Sequence, residues 1–87
     1  MEYNKEMEKA EIERDVFIEF GDQVCANFAK YFNENGIAFE DAENPAVKKC
    51  KEALNLVRKA NKFKSVEEVK DAYRQLDEIR RFYRELQ

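Results

Sequence analysis

The sequence predicts an all-α fold, a three-helix bundle, on three observations. Only two Gly and one Pro occur in 87 residues, which leaves little material for the turns of a β-sandwich or barrel. Apolar residues recur at three- and four-residue steps in three segments, and helix-stop and helix-start signals separate these segments. The length suits one hydrophobic core, so residues 1–87 are expected to form a single helical domain.

The first helix is predicted over about residues 2–35. It ends at Asn35 because the following Gly36 can adopt the left-handed conformation without a Cβ penalty. Residues 16–32 carry an apolar arc wider than about 100°, which indicates packing against more than one neighbour. Gly21 lies inside this stretch and indicates either a close approach of another helix or a tolerated defect. The arc comprises Val16, Phe17, Ile18, Phe20, Val24, Cys25, Phe28, Tyr31 and Phe32.

The second and third helices are predicted over about residues 45–61 and 65–86. The second begins with Asn44 as N-cap and Pro45 in the first turn. The third begins with a capping box, in which the Ser65 hydroxyl accepts from the Glu68 amide and the Glu68 carboxylate accepts from the Ser65 amide. Each helix carries one apolar stripe: Val47, Cys50, Leu54 and Val57, and then Val69, Ala72, Leu76, Ile79, Tyr83 and Leu86.

The first helix is longer than its partners require. Its length of about 50 Å compares with roughly 25 Å and 30 Å for the other two. Residues 1–15 are therefore expected to project beyond the bundle, to fold back, or to pack on a second copy, with disorder in free solution as a further alternative. Tyr3, Met7 and Ala10 share one face that would suit a homodimer through the first helix.

Composition argues against an enzyme and against a metal or cofactor site. The chain has no His and no Thr, and its single Ser65 is assigned to a helix cap. The acidic loop of residues 40–44 lacks the alternating spacing and the Gly of a calcium-binding loop. We therefore predict no catalytic residues, no metal and no cofactor.

The two cysteines are assigned to the core as free thiols. Cys25 lies ten residues before the end of the first helix, and Cys50 lies five residues after the start of the second. In a helical hairpin this spacing offsets them by roughly 7 Å along the axis, which disfavours a disulfide without excluding it.

The net charge of −3 conceals an asymmetry between the two halves. Residues 1–44 carry 4 basic and 12 acidic groups, a balance of −8, whereas residues 45–87 carry 12 basic and 7 acidic groups, a balance of +5. We interpret this as two halves that neutralise each other across the helix interfaces. No apolar run is long enough to span a membrane, and the acidic start does not resemble a signal peptide, so a cytoplasmic location is expected.

The charged faces are the candidate binding residues. The sequence predicts a non-enzymatic module that binds another protein, as an adaptor, an assembly subunit or a small inhibitor of the kind that phages encode. The alternative is a nucleic-acid-binding module that uses the basic face of the second helix, against which the isoelectric point of about 5.1 argues. The candidates are basic Lys48, Lys51, Arg58 and Lys62, basic Arg80, Arg81 and Arg84, and acidic Glu13, Glu19 and Asp22.

Overall fold

The computed structural model describes the backbone of residues 2–87 and the side chains of residues 13–87. It contains three helices, α1 (Glu2–Asn35), α2 (Pro45–Lys59) and α3 (Val66–Leu86), and no strand within residues 2–87. The predicted all-α bundle is confirmed. The molecule measures 52 × 21 × 16 Å, and its long dimension matches the roughly 51 Å expected of the 34-residue α1.

The helix boundaries follow the sequence signals, with one difference at the end of the second helix. The α-helix stops at Lys59 rather than near residue 61, and a 3₁₀ turn, Ala60–Lys62, continues from it. Helices commonly tighten into 3₁₀ geometry in their last turn. The chain then becomes extended at Phe63 (φ −69°, ψ 127°), which ends the helical run.

The caps on either side of the first loop form as predicted. Gly36 adopts a left-handed φ of 63°, and the Ile37 amide donates to the Phe32 carbonyl at 2.8 Å, as in a Schellman motif. The Asn44 side chain accepts from the Ala46 amide at 2.8 Å and satisfies one of the free donors at the start of α2.

The capping box of α3 forms with one change of partner. The Ser65 hydroxyl accepts from the Glu68 amide at 3.3 Å, as predicted. The Glu68 carboxylate, however, accepts from the Lys64 amide at 3.1 Å and not from the Ser65 amide. Ser65 itself has the extended backbone that N-cap residues usually adopt (φ −136°, ψ 157°).

The core is built on α1, which packs against both other helices. Phe17 and Phe28 are fully buried. The Phe17 ring meets Tyr73 of α3 edge-on at 5.2 Å, and the Phe28 ring lies 5.1 Å from Tyr83 of the same helix. The wide arc of α1 is thereby confirmed, except that Val16 is 52% exposed and lies outside the core.

Gly21 marks a close approach between α1 and α2. Of the two explanations that the sequence left open, close approach of another helix is therefore confirmed over a tolerated defect. A Cβ placed on Gly21 would overlap Cγ2 of Val57 on α2. Val57 is β-branched and stiff about χ1, so it cannot easily swing away. The glycine is therefore a packing requirement.

None of the helices in the described part of the chain combines the length and the apolar character that crossing a membrane would need.

We predict that Gly21→Ala destabilises the fold by up to about 2 kcal/mol, because overpacking against Val57 costs about 1–3 kcal/mol and the better helix propensity of Ala offsets about 1 kcal/mol of this cost. In a Val57→Ala background the same change should become neutral or stabilising. Ala26→Gly, at an exposed position of the same helix, is the matched control and should destabilise by about 1 kcal/mol. Urea unfolding of the four variants measures these effects, and a Gly21→Ala protein more stable than wild type would contradict the packing role.

Candidate functional site

The outer face of α1 carries an acidic stripe, which we define as Asp15, Glu19 and Asp22. These positions follow each other at steps of four and three residues, so their side chains share one face of the helix. All three are exposed, and Val16, the exposed valine of α1, lies beside them. Within residues 13–87 none of the three carboxylates is in an ion pair. The stripe therefore presents concentrated negative charge next to an uncovered apolar side chain.

Glu13 lies on a different side of the helix from the stripe. It is half-buried, and burial together with the Glu13 charge raises the pKa of Tyr73 on α3. Its neighbour Arg14 donates from its guanidinium to the Phe63 carbonyl at 3.3 Å. These contacts fix α1 against the turn that follows α2, and from Arg14 the backbone continues as helix back to Glu2.

The basic face of α2 is exposed as the sequence predicts. Lys48, Lys51, Arg58 and Lys62 all face solvent, with Lys62 in the 3₁₀ turn rather than in α2 itself.

Phe39 extends this face and was missed by the sequence analysis. The side chain is 42% exposed, and its ring lies 5.3 Å from the Lys51 ammonium, within cation–π distance. Phe39, Lys51 and Arg58 line an open groove of about 300 Å³ with Leu54 and Asn55. The available signal was a single aromatic residue in an otherwise acidic loop, which helix periodicity does not detect.

The arginines of α3 differ in how far they are available to a partner. The Arg80 guanidinium pairs with Asp77 at 2.8 Å and stacks over Phe20 of α1 at 5.8 Å. Arg81 pairs with the same carboxylate at 3.1 Å but remains largely exposed. Arg84 is exposed. Arg80 is thus largely committed to holding α3 against α1, whereas Arg81 and Arg84 reach solvent.

The prediction that the two halves neutralise each other across the helix interfaces is wrong for the residues whose side chains are described. Every ion pair within residues 13–87 joins positions three or four apart on one helix: Lys30–Glu34, Lys49–Glu52, Arg80–Asp77 and Arg81–Asp77. The interfaces are mainly apolar, and no ion pair joins two helices among these residues. The acidic stripe and the basic face therefore remain two separate surfaces.

The two cysteine thiols meet across the α1–α2 interface. Both are free, yet Cys25 and Cys50 lie within hydrogen-bonding reach of each other. The expected offset of roughly 7 Å assumed that α2 begins level with the end of α1. The contact of Gly21 with Val57 sets the register instead and shifts α2 by about two residues, which reduces the offset to roughly 4.5 Å along the axis.

The arrangement suits the binding of a charged surface. Among the described side chains, no group of three His, Cys, Asp or Glu residues is arranged to hold a metal ion.

Comparison with known proteins assigns the chain to a family. A search of curated proteins and a search of solved structures each return no significant match. The family model described as "Bacterial epsilon antitoxin" matches residues 6–86, which include all three helices almost completely. The chain belongs to the bacterial epsilon antitoxin family.

Proposed function

We propose that this protein is the antitoxin of a bacterial toxin–antitoxin pair and that it neutralises a toxin protein by direct binding in the cytoplasm, without catalysis. The family description supports a small protein-binding inhibitor among the roles that the sequence left open, and it lends nothing to the adaptor, assembly-subunit or phage-type alternatives. Binding of this kind needs a surface that the bundle does not use for its own packing.

The acidic stripe of α1 is the surface that we assign to the toxin. The observation that carries this choice is the exposure of Val16, 52%, beside carboxylates that have no ion pair within residues 13–87. An exposed apolar side chain flanked on one side by carboxylates matches part of the anatomy of a protein interface, in which apolar groups at the centre are bordered by a polar rim. Its partner is a toxin surface with basic residues around an apolar pocket.

The charge has a kinetic role in this proposal. Complementary charges steer two proteins together and raise the association rate, whereas burial of apolar groups slows dissociation. Asp15, Glu19 and Asp22 would therefore act mainly on association, and Val16 mainly on dissociation.

We predict that Glu19→Lys/Asp22→Lys weakens toxin binding by about 10-fold or more, mostly through slower association, because like charges then face each other. The toxin is first captured from the native bacterium, identified and purified. Binding is then followed by surface plasmon resonance, and growth rescue by co-expression with the toxin. Glu78→Lys/Glu85→Lys, on exposed positions of α3, makes the same change in net charge and is the matched control.

Val16→Ser should leave stability within about 0.5 kcal/mol, as expected of a surface position, while raising the dissociation rate several-fold. If both α1 variants bind and rescue like the α3 control, the acidic stripe is not the toxin-binding surface. If the captured partner has no effect on growth, the antitoxin function itself is contradicted.

Nucleic-acid binding through the basic face is the second candidate function. The supporting observation is that Lys48, Lys51, Arg58 and Lys62 are exposed and form no ion pair within residues 13–87. We predict no saturable binding to duplex or single-stranded DNA or RNA at roughly 150 mM salt. Fluorescence anisotropy over a salt series measures this. Micromolar binding that weakens linearly with the logarithm of salt, and that Lys48→Glu/Lys51→Glu/Lys62→Glu abolishes, would favour the nucleic-acid alternative.

A homodimer through the first helix is a separate proposal. It is supported by the continuation of α1 as helix beyond the Arg14–Phe63 contact. The side chains of Tyr3, Met7 and Ala10, on which the predicted contact depends, lie outside the described residues. We predict a dimer for the full chain at tens of micromolar and a monomer for a chain without residues 1–12. Sedimentation equilibrium distinguishes them, and a monomeric full chain would contradict the proposal.

A further inference from the structure

Cys25 and Cys50 are reactive side chains whose contact with each other is explained neither by the packing of the core nor by the proposed function. Cys50 is 4% exposed and packs in the core, whereas Cys25 is half-buried and partly open to solvent. Cys25 packs against the buried cluster that contains Cys50, and the two side chains interact across the interface between α1 and α2. Two neighbouring thiols of this kind can exchange their hydrogens for a sulfur–sulfur bond.

Helix geometry places the two residues on facing sides of α1 and α2 independently of that contact. Cys25 follows Gly21 by four residues on α1, and Cys50 precedes Val57 by seven residues on the antiparallel α2. Four residues make about one helical turn and seven make about two. Cys25 therefore lies on the face of α1 that contacts α2, and Cys50 lies on the face of α2 that contacts α1. The glycine allows the helices to approach closely, and short Cβ separations are what a disulfide requires.

We propose that Cys25 and Cys50 form a redox-modification site, in which a peroxide-class oxidant converts the two thiols into a disulfide that joins α1 to α2. The thiolate of one cysteine attacks one oxygen of hydrogen peroxide and becomes a sulfenic acid, and the hydroxide released becomes water by taking up the proton that this thiol has lost. The sulfur of the other cysteine then attacks the sulfenic sulfur, and the sulfenic hydroxyl leaves with the proton of the second thiol as another water. The two sulfurs together lose two electrons, which reduce the peroxide.

The two thiols are not equivalent. The hydrogen bond with Cys50, and then burial, raise the pKa of Cys25, while the same hydrogen bond lowers the pKa of Cys50. Cys25 is the thiol that is partly open to solvent, whereas Cys50 is buried.

The disulfide would act on stability. It would close a loop containing the whole α1–α2 connection, and such cross-links stabilise by restricting the unfolded chain. Opening of α1 from α2 would become rarer, and proteolysis that depends on opening would slow. An oxidised protein would then persist longer than a reduced one.

The test uses the purified full chain alone, so its outcome does not depend on the proposed toxin. The protein is treated with equimolar hydrogen peroxide or with dithiothreitol, and non-reducing mass spectrometry and thermal unfolding are recorded. We expect the loss of two hydrogens within one chain, a midpoint of unfolding higher by about 10 °C or more, and reversal by dithiothreitol. Digestion by trypsin should slow in parallel.

Cys25→Ser and Cys50→Ala are the control variants, and neither should gain stability from peroxide. A urea-unfolded sample of the wild-type chain should form the bond more slowly than the native one, because the fold supplies the proximity. Bonds that form only between chains, oxidation that stops at sulfenic or sulfinic acid, or a disulfide that leaves the midpoint unchanged or lowers it would each overturn the proposal.

Discussion

Burial of one helix against two others is the constraint on which this structure depends. α1 places Phe17 and Phe28 in the interior, where their rings pack against aromatic residues of α3, and it presses Gly21 against Val57 of α2. Removing such a buried phenylalanine typically costs about 3–5 kcal/mol, whereas an exposed ion pair contributes at most about 1 kcal/mol. Apolar packing therefore determines the register of the helices, and most charged residues lie on the faces that remain exposed to solvent.

The local signals in the sequence were sufficient for the helices and their ends. Gly36, Asn44 and Ser65 act within one turn of their own positions, so their roles could be predicted without tertiary structure. Val16 could not be placed in the same way. It lies at the edge of the apolar arc, and whether an edge residue is covered depends on the neighbouring helix, which periodicity does not describe.

The features that depend on pairs of helices were predicted least well. The contact of Gly21 with Val57 sets the register of α1 and α2, and an error of about two residues there accounts for about 3 Å of the offset of roughly 7 Å that was expected between Cys25 and Cys50. The prediction about the distribution of charge was wrong for a related reason. Counting acids and bases by halves shows an imbalance but not the direction of the side chains, and the ion pairs of the described residues proved to be local.

The outer and inner faces of α1 can therefore serve different purposes. Cys25 lies roughly 120° around the helix from Glu19 and about 60° from Asp22, on a side that faces α2, and the Asp22 charge contributes to the raised pKa of the Cys25 thiol. A bond at Cys25 would fix the inner side of α1 while the carboxylates of the acidic stripe stay exposed. Oxidation would then change how long the protein stays folded while the stripe remains open to a partner. The glycine contact makes this possible, because it holds α1 against α2 on the side of the helix away from the acidic stripe.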